Sequence, residues 1–287
     1  MNASDIRTAC VLGAGTMGHG IAHVLAAAGI ETRLFDVADA AVQAGLAKVR
    51  ANLDKGVEKG KVSADARDMA LANLSGSVEF EAAVSGVDMV IEAVPERLEL
   101  KQRLFAHAAS LVEGDAILAT NTSSLSIDAI AAAVPGPDRV IGTHFFNPVH
   151  IMKLLEIVVG SATSQSVLDR VLNLGGRLGK ECITVKDSPG FATSRLGLVI
   201  GLEAIRMVEE GVASPEDIDK AMCLGYGFPM GPLRLTDLVG LDVRLSIAEY
   251  LSEHLQDGAH FKPPKLLREM VAAGKLGKKS GQGFYTW

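Results

Sequence analysis

Unbroken apolar runs alternate with stretches of helical spacing over the first half of the chain. Runs at 8–12, 31–36, 89–93, 116–120, 140–145 and 154–159 have the length of buried strands. Segments 17–28, 38–60, 98–111 and 126–133 instead repeat their apolar residues with the period of a helix. Gly29 stands where the first helix should stop. This alternation predicts an α/β fold built on a doubly wound sheet with right-handed crossovers. After Lys186-Asp187-Ser188-Pro189-Gly190 the strand-length runs disappear. Positions 191–210 read as one long apolar-periodic helix, with Pro189 near its start and Gly211 just past its end. Ser214-Pro215-Glu216-Asp217 then opens another helix as a capping sequence. A boundary is expected at 187, between an α/β domain at 1–187 with a helical excursion near 38–75 and a second, all-helical domain at 188–287.

The turn after the first run gives the chain its first chemistry. It reads Gly13-Ala14-Gly15-Thr16-Met17-Gly18, between a strand and a helix. Gly13 permits the tight turn, Gly15 leaves room for a pyrophosphate against the backbone, and Gly18 lets helix and strand pack closely. Thr16 and Met17 begin the helix, whose free N–H groups would face the phosphate. Asp36 closes the second run, about 20 residues on, where a carboxylate accepts hydrogen bonds from a ribose 2′-OH and repels a 2′-phosphate. Val37-Ala38-Asp39 offers no arginine, so the site is expected to be Rossmann-type and to take NAD rather than NADP.

Composition narrows the class without naming the reaction. The 287 residues are 48% hydrophobic and 22% charged, as in a globular protein. The net charge of −6 argues against nucleic acid as a partner but leaves room for an anionic small ligand. The three cysteines Cys10, Cys182 and Cys223 are scattered, show no metal spacing and suit a reducing, cytoplasmic compartment. No apolar stretch reaches the ~18 residues of a membrane span, and no secretory signal precedes the first strand.

The segment GTHFFNPVHIMKLLE carries the strongest candidate for catalysis. His144 ends one apolar run and Glu156 lies inside the next, with a turn at Asn147-Pro148 between them. A carboxylate inside LLEIVV is costly unless paired. A histidine on the neighbouring strand would be its partner, and such a pair works as a general base. Ser123, near the end of an earlier run, would hold a substrate oxygen. A structural ion pair of Glu156 with Lys153 or Arg177 remains the alternative. Other dehydrogenase chemistries lack their residues: Tyr226, Tyr250 and Tyr285 have no lysine four positions on, and helix 191–210 contains no lysine. Lys55 and Lys59 lie one turn apart on a helix. They would grip phosphates or form a solvated face with Asp54 and Glu58.

Seven segments in order, VLGAGTMGHGIA, VIEAVPERLELK, ATNTSSLSI, GTHFFNPVHIMKLLEIV, KDSPGFATSRL, GYGFPMGPLRLTDLVGLD and LGKKSGQGFY, resemble the 3-hydroxyacyl-CoA dehydrogenase family over nearly the whole chain. The resemblance implies NAD-dependent oxidation of (S)-3-hydroxyacyl-CoA, with a short-chain substrate such as 3-hydroxybutyryl-CoA. It makes His144 the base, Glu156 its partner and Ser123 a substrate contact. It implies cofactor contacts from Asp36, Glu96, Lys101 and Asn147, CoA contacts from Lys55 and Lys59, and a homodimer through the C-terminal domain. One position departs: where the family commonly has asparagine in PGF-x-x-N-R, near the substrate carbonyl, this chain has Ser194, which reaches less far. A free-acid 3-hydroxy dehydrogenase like L-gulonate 3-dehydrogenase would keep Ser123, His144 and Glu156 without needing the lysine pair. A non-catalytic NAD-binding protein would need none of the three.

Overall fold

The computed structural model describes residues 6–287. The chain divides after Asp187 into two compact units. The first begins with β1 (Thr8–Leu12), α1 (Thr16–Ala27), β2 (Glu31–Phe35), α2 (Asp39–Glu58), α3 (Ala64–Ala72), β3 (Leu74–Ser77) and α4 (Phe80–Val84). It continues with β4 (Met89–Glu92), α5 (Leu98–Ala109), β5 (Ile117–Thr120), α6 (Ile127–Ala131), β6 (Val140–Phe145), β7 (Leu154–Val159), α7 (Gln165–Arg177) and β8 (Glu181–Lys186). The strands form one sheet in the order β3-β2-β1-β4-β5-β6-β7-β8. Every pairing is parallel except β6 with β7. The central strands are covered on both faces, which is why they read as unbroken apolar runs rather than alternating ones. Val11, Ile91, Ile117, Ile141 and Ile157 are all fully buried.

The order reverses between β1 and β4, and ligands of open α/β sheets bind at the carboxyl ends of the strands beside such a switch point. The glycines there are explained by contact. A side chain on Gly13, at φ +99°, would strike the Ala93 carbonyl at 2.8 Å, and one on Gly18 would overlap the Gly13 carbonyl. Residues 160–186, given no element by the apolar runs alone, form α7 and β8. Helix α7 buries Val167, Val171 and Leu174, whereas β8 is an edge strand whose residues are only partly covered. The excursion at 39–72 is a pair of helices closed over Val49, Leu53 and Ala70.

The second unit consists of α8 (Thr193–Glu209), α9 (Pro215–Lys220), α10 (Pro232–Val239), α11 (Leu241–His254) and α12 (Lys265–Ala272), packed around Leu198, Leu202, Leu233, Leu241, Leu251 and Phe261. Two buried carboxylates hold its C-terminal segment. Asp237 accepts from the Phe284 and Tyr285 amides and from Trp287 Nε1, each at 2.9 Å. Asp219 accepts from the Leu233 and Arg234 amides and the Tyr285 hydroxyl. Among the described residues no helix is long and apolar enough to cross a membrane.

Candidate active site

The antiparallel pairing of β6 with β7 puts His144 directly opposite Glu156, and directly opposed side chains project to the same face of a sheet. His144 Nδ1 lies 2.8 Å from Glu156 Oε2, with His144 5% exposed and Glu156 fully buried. With Glu156 ionised, Nδ1–H donates to it and Nε2 is left as the acceptor, a tautomer assigned from the hydrogen-bond network. The Ser123 hydroxyl stands 3.1 Å from that Nε2. Arg177, one of the alternative partners, donates through Nη1 to the Ile6 carbonyl. The ring of Phe146 covers His144, with centroids 4.4 Å apart.

Ser123 is braced from behind by residues that end the neighbouring strands. Glu96 accepts from the Ser123 amide at 2.9 Å and from the Thr122 hydroxyl through one oxygen. Its other oxygen lies 3.1 Å from Lys101 Nζ. Lys101 also donates at 2.8 Å to each oxygen of Glu92. Glu92 and Lys101 are both fully buried, and Glu92 accepts further from the Val94 amide and the Thr120 hydroxyl, each at 2.7 Å. Lys101 is thus wholly enclosed, and its ammonium reaches Ser123 only through Glu96. Asn121 fixes the adjoining strand by accepting from the Phe145 amide at 2.9 Å. Glu92, Thr120, Asn121 and Thr122 were not singled out from the sequence. Glu92 carried the same signal as Glu156, an acid inside an apolar run.

At the β1–α1 turn no side chain caps α1 and no acid occupies its first turn, so its N-terminal amides are open to an anion. A Cβ on Gly15 would meet nothing within 4 Å, whereas Gly13 and Gly18 are closely packed. Asp36 accepts from the Ala14 amide at 2.9 Å through Oδ2, which anchors the carboxylate at the end of β2 beside the turn. The residues present therefore fit a dinucleotide: Gly15, Thr16 and Met17 at the pyrophosphate and Asp36 at the ribose. Asn147 is exposed in the β6–β7 turn. Lys55 is exposed near the end of α2, and Lys59, its C-cap, lies just past that end. The alternative partner Asp54 pairs instead with Arg67 at 3.4 Å. Ser194 lies in the first turn of α8, in the second unit.

A doubly wound sheet with an uncapped glycine turn, an acid at the end of β2 and a hydrogen-bonded Ser–His–Glu line defines a nicotinamide-dependent dehydrogenase. Comparison with known proteins gives its family. Residues 8–188 match the NAD-binding domain of 3-hydroxyacyl-CoA dehydrogenase, and residues 190–287 match the C-terminal domain of the same family. The chain is 44% identical to a 3-hydroxybutyryl-CoA dehydrogenase of Mycobacterium tuberculosis, covering 96% of this chain and 97% of that protein. It is 41% identical to the 3-hydroxyadipyl-CoA dehydrogenase of Escherichia coli over 99% of its own length, and spans 59% of that longer protein. The crystal structure of (S)-3-hydroxybutyryl-CoA dehydrogenase from Ralstonia eutropha superposes with a TM-score of 0.95 at 43% identity, covering 99% of each chain. The chain belongs to the 3-hydroxyacyl-CoA dehydrogenase family, an NAD-dependent oxidoreductase family.

Proposed function

We propose that this chain oxidises the 3-hydroxyl of a short-chain (S)-3-hydroxyacyl-CoA, such as 3-hydroxybutyryl-CoA, to the 3-oxoacyl-CoA, reversibly and with NAD⁺. The observation that carries the reading is the line Ser123–His144–Glu156, in which Nε2 is presented as an acceptor. NAD⁺, held at the β1–α1 turn and Asp36, would supply the acceptor for the hydride of C3. His144 Nε2 takes the hydroxyl proton as that carbon is oxidised. Glu156 holds the ring in the required tautomer and balances the imidazolium once it forms. Ser123 orients the substrate oxygen toward Nε2, and the brace from Glu96 holds its backbone. The return reaction uses the same atoms, with imidazolium donating the proton to the 3-oxo oxygen. Lys55 and Lys59 supply charge for the CoA phosphates, and Asn147 and Glu96 line the nicotinamide side.

His144→Gln and Glu156→Gln should each lower turnover by ~100-fold or more, the scale of general-base loss, with NADH binding retained in a fluorescence titration. Near-normal turnover of His144→Gln removes it as the base. The second unit exposes Leu224 at 85% and Tyr226 at 79%. Exposed apolar surface of this kind supports a homodimer through that unit, which native mass measurement checks against the 30.1 kDa chain. Three free cysteines fit a cytoplasmic setting.

A further inference from the structure

The turn between β6 and β7 lies outside the Ser123–His144–Glu156 line, yet it is firmly held. Pro148 to Met152 makes a single helical turn, in which the Ile151 and Met152 amides both donate to the Pro148 carbonyl at 2.9 Å. So short a turn leaves its later carbonyls without a backbone ladder to accept from. Lys180, between α7 and β8, donates to them: its Nζ bonds the Val149 carbonyl and, at 2.8 Å, the Met152 carbonyl. The backbone of Lys180 is itself fixed. Its amide donates to the Gly175 carbonyl at 2.9 Å, and the next amide, of Glu181, donates to the Lys153 carbonyl at 2.8 Å. The side chain is half-buried, and burial draws its pKa below the usual lysine value.

The same turn packs against α1. Val149 is buried and fits where that helix carries no side chain: a Cβ on Gly20 would meet Val149 Cγ2 at 2.8 Å. One turn further along the same face, His23 stacks on His150 with centroids 5.1 Å apart. Helix α1 is the element whose N-terminal amides are open to a pyrophosphate. The β6–β7 turn therefore ties the cofactor helix to the start of β8 through Lys180. It also carries Asn147, which directly precedes Pro148 and stands three residues after His144.

We propose that Lys180 is a positioning residue for hydride transfer: by holding the Val149 and Met152 carbonyls it fixes the β6–β7 turn, and with it Asn147, against α1. A lysine suits the task, because its ammonium has several donors on one atom and serves both carbonyls at once. The helix that takes the pyrophosphate and the turn that meets the nicotinamide then form one rigid support for the two ends of the cofactor. Hydride transfer is sensitive to that support, since a misplacement of about 1 Å costs on the order of 100-fold in rate. Lys180 itself touches neither cofactor nor substrate in this role. The inference lies within the first unit and rests on the reading that Asn147 lines the nicotinamide side.

The test follows acetoacetyl-CoA reduction by NADH in the full chain, for the wild type, Lys180→Met, Lys180→Arg, Asn147→Ala and the Lys180→Met/Asn147→Ala double variant. Lys180→Met should lower kcat by roughly 10- to 100-fold. Its Kd for NADH, read by fluorescence, should stay near wild type, because the α1 amides and Asp36 are untouched. The deuterium isotope effect on kcat, with NADH labelled at the transferred hydrogen, should be at least as large as in the wild type, since the hydride step is the one slowed. Lys180→Arg keeps a charged donor and should retain more turnover than Lys180→Met. In the Asn147→Ala background Lys180→Met should lower kcat little further, since both act on one contact. Where Lys180→Met fails to fold, Lys180→Gln, a neutral donor, carries the same comparisons. An unchanged kcat overturns the inference, as does a diminished isotope effect or a loss of NADH binding in proportion to kcat. So does Lys180→Arg as slow as Lys180→Met, or a full loss that persists in the Asn147→Ala background. Asn147→Ala with wild-type turnover refutes the nicotinamide reading and the inference with it. An impaired Asn147→Ala beside an unimpaired Lys180→Met overturns the inference alone.

Discussion

Lys101→Met tests whether the brace behind Ser123 is structural or governs turnover. Methionine keeps most of the stem that Lys101 packs in the interior, so the substitution chiefly removes the charge. Glu92 retains the Val94 amide and the Thr120 hydroxyl but loses both 2.8 Å bonds to the ammonium, and it is fully buried. Removing one partner of a buried ion pair costs about 3–5 kcal/mol, because the other is stranded. At about 2–4 °C per kcal/mol for a domain of this size, the melting temperature should drop by roughly 6–20 °C. Adding Glu92→Gln removes the stranded carboxylate, and the double variant should recover most of that loss. Turnover should stay low in the double variant, because Glu96 still lacks the ammonium 3.1 Å away that fixes the oxygens holding Ser123. In a Ser123→Ala background Lys101→Met should lower kcat little further, since both act on the same contact. Calorimetry on the four forms of the Lys101/Glu92 cycle and kcat on the same proteins decide the matter. A single variant within the ~1 kcal/mol typical of exposed pairs would refute the energetic reasoning. Full recovery of turnover along with stability would refute the positioning role.

Gly15→Ala should change the melting temperature little, because a Cβ there would meet nothing within 4 Å. It should raise the KM for NAD⁺ roughly tenfold or more by displacing a phosphate from the α1 amides; an unchanged KM would place the pyrophosphate elsewhere. His23 stacks on His150 with centroids 5.1 Å apart, and burial, helped by the nearby charges of His150, His19 and Lys180, lowers its pKa from 6.5 to about 4. The folded form therefore resists protonation while the unfolded chain takes the proton. Stability should be full above pH 6.5, erode as the pH falls, and lack about 3 kcal/mol below pH 4. Urea unfolding of His23→Leu across that range should show a flatter slope than wild type, and an equal slope would exclude His23 as the source.

How much of this was legible in the sequence depends on where a residue's partner lies. Central strands declared themselves because a parallel strand covered on both faces must be apolar throughout. The edge strands did not: β3 is Leu-Ser-Gly-Ser, and β8 mixes Glu181 and Lys186 with its apolar residues, as edges that must avoid further pairing do. Helix α7 is a different case, since Val167, Val171 and Leu174 repeat with helical period inside the chain itself. At the site, His144 and Glu156 were legible as a pair because one hairpin joins them and the cost of burying Glu156 demands a nearby partner. Glu92 posed the same demand, but three things answer it: Lys101 on the following helix, Thr120 on β5 and the Val94 amide. From there the contacts pass through Glu96 to Ser123, and so to His144 on β6. A sequence shows that a buried acid needs a partner, because that cost is local. It does not show which partner closes the line, because closure depends on strands β4, β5, β6 and β7 lying side by side, and only the folded sheet brings their ends together.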